Sequence, residues 1–134
     1  MKSILALTFA FISIASFAEG SGCEDNVRKA NMAVLEAGRI LNSVKTLSDK
    51  IVSPTCEKDD AVILSELRIA VESFDYLSKK AKNSLLTAEE LYIEQYCDYK
   101  DSFEIDSARK RVAGLKTNSS EVIAKAKAQI ACLK

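Results

Sequence analysis

The sequence predicts an all-α protein, a disulfide-tied antiparallel helical bundle of three long helices plus one short helix. Three observations carry this. Apolar residues recur in steps of three and four along three long segments, the spacing of a single helix face. No stretch alternates with the period of two that a half-buried strand needs. Four cysteines, Cys23, Cys56, Cys97 and Cys132, each fall at or beside a predicted helix end.

The first segment stands apart from the rest. Lys2 is followed by an apolar run over 4–18, broken only by Thr8, Ser13 and Ser16 and ending in the small-x-small triplet Ser16-Phe17-Ala18. These are the three parts of a secretory signal, and the run is shorter than the roughly 18–20 residues a spanning helix needs. Residues 1–18 are therefore expected to be a cleaved signal peptide and 19–134 a single helical-bundle domain, secreted or periplasmic, with no transmembrane segment. Cys23 sits where a lipoprotein would carry its lipid. Gly20 stands where such signals prefer a Leu-like residue, so pairing of Cys23 is the default.

Composition agrees with one folded unit. Hydrophobic residues make up 48% of the chain against a single proline, which argues against disorder. Lys plus Arg and Asp plus Glu balance at 19 each, so bulk attraction to nucleic acid is not expected.

Each element has its own signal. The first helix carries Val27, Ala30, Val34, Ala37, Leu41, Val44 and Ile51 on one face, with Glu24 and Asp25 at its start and Lys45 and Lys50 near its end, as the helix dipole favours. Ser53-Pro54-Thr55 ends it, because the residue before proline is pushed out of the helical region. The second opens with Glu57, Asp59 and Asp60, buries Leu64, Leu67, Val71, Phe74, Leu77 and Ala81, and closes with Lys79, Lys80 and Lys82. Thr87-Ala88-Glu89-Glu90 has the form of a capping box and predicts a short third helix with Leu91, Tyr92, Tyr96 and Tyr99. The last helix starts near Ser102 with the stripe Ile105, Ala108, Val112, Leu115, Val122, Ala126, Ile130 and Leu133. Because the stripe resumes in register, Ser119 is expected to fill one of its positions in a continuous helix.

Topology ranks the cysteine pairings. A first helix running up from Cys23, a second running down, and a short helix crossing the bottom bring Cys97 to Cys23 and Cys132 to Cys56. If the short helix climbs instead, Cys23 meets Cys132 and Cys56 meets Cys97. Three long helices of about 40–45 Å and a short one of about 20 Å favour the first arrangement.

The chain contains no histidine. That removes the imidazole base, the Ser-His and Cys-His pairs and the commonest metal ligand. The acids Glu90, Glu94, Asp98 and Asp101 lack the Gly-containing loop of a hard-cation site. No catalytic residue, cofactor or metal is assigned.

Charge is unevenly placed. Acids dominate from Glu89 to Asp106, and bases (Arg109, Lys110, Arg111, Lys116, Lys125, Lys127) dominate after it. The plain reading is complementarity between packed neighbours, and the sharper one is a basic strip for an anionic partner. Tyr92, Tyr96, Tyr99 and Phe103 form an aromatic stripe that reads first as core packing. Set among acids, it also has the make-up of a recognition surface. Asn118-Ser119-Ser120 matches a glycosylation acceptor.

The expected role is an exported, non-enzymatic module that binds a protein or cell-surface partner, with Tyr92, Tyr96, Tyr99, Arg109 and Arg111 as the candidate surface. A small-molecule or lipid carrier with a cavity between helices is the second reading, and a secreted enzyme inhibitor the third. Plant invertase and pectin methylesterase inhibitors also combine four cysteines with a bundle, and the Cys56-to-Cys97 interval resembles their second pair. Their first pair lies close together, unlike Cys23 and Cys56, and the chain is not assigned to them.

Overall fold

The computed structural model describes residues 22–51 and 60–133. Among the described residues three helices form the bundle: α1 (Gly22–Lys50), α2 (Ala61–Ile93) and α3 (Asp101–Ile130). Among the described residues there is no strand, and no helix is long and apolar enough to cross a membrane. The expected signal segment, the Ser53-Pro54-Thr55 stop, Glu57, Asp59 and Cys56 lie outside the described residues.

Contacts at the ends set the topology. A Cβ at Gly22 would stand 3.3 Å from Leu91 Cδ1, so the start of α1 lies against the end of α2 and the two run antiparallel. Asp75–Lys127 and Glu89–Arg109 ion pairs put α2 and α3 antiparallel as well. α3 is therefore parallel to α1, with Cys23 near Asp101 at one end and Ser48 against Gln129 at the other.

The predicted short helix does not exist as a separate element. α2 runs unbroken through Asn83 and Ser84 to Ile93. Thr87 Oγ1 donates to the Asn83 carbonyl, four residues back, at 3.0 Å, which is a mid-helix bond and not a cap. Burial explains the outcome. Leu85 and Ala88 extend the stripe of Leu77 and Ala81 in helical register, and all four are buried. Continuing that face against its neighbours outweighs a local signal worth about 1 kcal/mol.

The real stop comes later. Tyr96 N–H donates to the Leu91 carbonyl at 2.9 Å and Gln95 N–H to the Tyr92 carbonyl at 3.1 Å. These are the two bonds of a Schellman motif, with Gln95 in the left-handed position usually held by glycine, at φ 68°.

α3 is continuous through residues 117–120, as the stripe predicts, and Ser119 is buried within it. Past that point the buried positions are Ile123, Ala126 and Gln129, with Val122 and Ile130 only partly covered. The core has two parts. The larger joins Val44, Leu64, Leu67, Val71, Phe74 and Ile123. The smaller, at the Cys23 end, joins Cys23, Val27, Ala30, Leu85, Ala88 and Ile105. Leu64 and Leu67 are wholly buried, each contributing about 1.5–3 kcal/mol over an exposed leucine.

Cys23 and Cys97 are bridged, with Cα atoms 5.5 Å apart and a sequence separation of 74. This excludes the Cys23–Cys132 alternative, and Cys56, the partner expected for Cys132, lies outside the described residues. The pairing follows from a simpler path than expected. α2 alone carries the chain back to Cys23, without a crossing helix.

Candidate functional site

The α2–α3 joint is built tightly around the bridge. Cys23 Sγ and Cys97 Sγ both lie against the Ala88 carbonyl oxygen, at 3.9 and 3.8 Å. Bridged sulfurs carry no proton, so these are packing contacts. Asp101, buried at the first turn of α3, accepts the Asp98 N–H on Oδ2 at 2.8 Å, while its own N–H donates to the Asp98 carbonyl at 2.9 Å. Ser102 Oγ donates to the Tyr99 carbonyl at 3.0 Å. Cys23, Cys97 and Asp101 offer ligand atoms within 4.8 Å of one another. With both sulfurs joined there is no thiolate to take a metal, and the cluster acts as a clamp.

On this clamped joint the aromatic stripe faces outward. Tyr92 is 39% exposed, Tyr96 65%, Tyr99 80% and Phe103 72%, and Ile93 adds a further 79%. The core-packing expectation for these side chains is therefore wrong. Helical register accounts for Tyr92, Ile93 and Phe103, because Leu85, Ala88, Ile105 and Ala108 already fill the inner face of the two helices here, while Tyr96 and Tyr99 stand outside the helices in the joint itself. Glu90, Glu94, Asp98 and Glu104 are exposed among them. Among the described residues, none of these four forms an ion pair.

The structure sets the two arginines on different faces of α3. Arg109 reaches Glu89 on α2 at 3.3 Å and Asp106 on its own helix at 3.2 Å. Arg111 is exposed two positions on, which turns it away from Arg109 around the helix. Much of the basic strip is spent on neighbours: Lys125 pairs with Asp49 at 3.5 Å, Lys127 with Asp75 at 3.4 Å and Lys110 with Asp106 at 3.3 Å. Asn118 is exposed in the middle of α3.

A second feature was not located by the sequence reading, although the carrier alternative expected a cavity between helices. Between α2 and α3 runs a groove of about 720 Å³. Its apolar lining includes Phe74, Leu85, Leu86, Val112, Leu115 and Ile123. It exists because the facing positions are small, with Ser78 on α2 and Ala113, Ser119, Ser120 and Ala124 on α3. Among the described residues, Ser78 Oγ has no hydrogen-bond partner. The signal for it was the run of small residues in the second half of α3, which leaves the seam unfilled.

No protein-family model matches the chain, and no curated protein or solved structure matches it.

Proposed function

We propose that this protein is an exported, non-enzymatic interaction module that docks through its aromatic, acidic end onto a protein or cell-surface partner. The observation that carries the reading is the outward set of Tyr92, Ile93, Tyr96, Tyr99 and Phe103 on a joint held by the Cys23–Cys97 bridge. Tyrosine supplies contact area with few rotatable bonds, and a clamped joint loses little freedom on binding. The unpaired acids Glu90, Glu94, Asp98 and Glu104 favour a partner with basic groups around an apolar pocket. Export is supported by the bridge itself, since disulfides persist in oxidising compartments.

The test is site-specific photocrosslinking in the exporting cell, with the reactive group at position 99 and a control at exposed Thr117 in the middle of α3. The expected result is one discrete protein adduct from position 99 and none from 117. Equal labelling from both positions, or no adduct from position 99, overturns the reading.

A further inference from the structure

The charges along the α2/α3 groove are not distributed as those of an ordinary seam. Asp75–Lys127 crosses it at one end and Glu89–Arg109 at the other, so both carboxylates that line it are already paired with cations. On α2 these pairs stand about 20 Å apart at ~1.5 Å per residue. Between them Lys79 and Lys82 on one lip and Lys116 on the other line the groove. Among the described residues, none of the three has an ion-pair partner. A lysine can lay its methylenes on apolar surface and keep its ammonium in water. Three of them flanking one apolar trough, with no acid left to answer them, make a positive field over a hydrophobic floor.

We propose that this groove binds a single-chain anionic amphiphile of the fatty-carboxylate type. The carboxylate stands between Lys79, Lys82 and Lys116, and the chain lies from there along the apolar floor towards Phe74 and Ile123. The groove volume falls within the roughly 300–1,000 Å³ of small-molecule sites. The ion pairs that cross its two ends favour a slender chain. A docked helix, about 10–12 Å across, would have to break them or stop between them. The floor provides the apolar burial and the lysines select the sign of the head group. This site lies on α2 and α3 away from the aromatic joint and stands independently of the role proposed for that end.

Isothermal titration with dodecanoate, and in parallel with dodecyltrimethylammonium, tests it on the oxidised full-length exported chain. The expected result is saturable binding of one dodecanoate per chain, with the cationic amphiphile about tenfold weaker or more. Lys82→Glu with Lys116→Glu, both exposed and unpaired, should reverse that preference while leaving the helical circular dichroism unchanged. Ala113→Leu with Ala124→Leu should fill the trough and weaken both amphiphiles. Equal affinity for the two head groups, or no saturable binding of dodecanoate, overturns the proposal. So does association only with phosphatidylglycerol vesicles, or a concentration-dependent dimer that the leucine variant abolishes.

Discussion

Ser48 and Gln129 exchange two hydrogen bonds across the α1/α3 seam: Ser48 Oγ donates to Gln129 Oε1 at 2.6 Å, and Gln129 Nε2 donates to the Ser48 carbonyl at 3.2 Å. Both residues are buried. The Ser48 carbonyl also accepts the Ile51 N–H at 3.2 Å, so it keeps a partner if the glutamine is lost. Ser48→Ala leaves the Gln129 amide oxygen unsatisfied and should cost about 1–3 kcal/mol. Replacing both, as Ser48→Ala with Gln129→Leu, should cost less than the sum of the single changes, because no orphaned group remains. Urea unfolding of the four-member cycle checks this; strict additivity would show that the pair is uncoupled.

Gln95 holds a left-handed backbone at the end of α2, with φ 68°. An L-residue there loses about 1–2 kcal/mol that glycine does not, offset in part by glycine's greater freedom in the unfolded chain. Gln95→Gly should therefore raise stability by about 0.5–1 kcal/mol. A lower thermal midpoint for this variant would contradict the assigned backbone conformation.

Aromatic residues at the joint and in the core should respond oppositely to truncation. Tyr92→Ala with Tyr96→Ala should stay within about 0.5 kcal/mol per site of the parent, because both side chains face solvent. Phe74→Ala should cost about 3–5 kcal/mol, since Phe74 is buried in the larger core cluster. Chemical denaturation separates these results. Unfolding of the tyrosine variant would return those residues to the core and remove the basis for the docking surface.

Asp25, in the first turn of α1, is held below the usual carboxylate value of 3.8 by hydrogen bonds from Lys29 first and Arg28 second. A lowered folded-state pKa gives stability that is fully present above the unfolded value and disappears as pH falls through the folded one. Asp25→Asn should therefore lower the thermal midpoint slightly at neutral pH, with the two proteins converging as pH falls below the usual carboxylate value. A constant difference across that range would show that the carboxylate's charge is not what stabilises the helix start.

The helical class, the inner faces of α1 and α2 and the continuity of α3 were legible in the residues, because burial repeats at the helical period. Val27, Ala37, Val44, Leu64, Leu67, Val71 and Phe74 are buried where their spacing puts them. Leu85 and Ala88 belonged to the same repeat, yet a capping-box pattern at Thr87 suggested a helix start that tertiary burial overrode. A cap signal is local and small, whereas a continued core face gains from every residue it buries.

The sequence by itself determined that the chain forms amphipathic helices with cysteines at their ends, since periodicity and cysteine placement need no knowledge of neighbours. Only the tertiary structure decided that the tyrosines face solvent, that Arg109 and Lys127 are spent on carboxylates of α2, and that a groove with unpaired lysines opens between α2 and α3. Each of these depends on which face of one helix meets which face of another. Helical spacing constrains the rotation of a helix about its own axis but leaves open how closely two helices approach. Here Ser78, Ala113, Ser119 and Ala124 leave space that no single helix records.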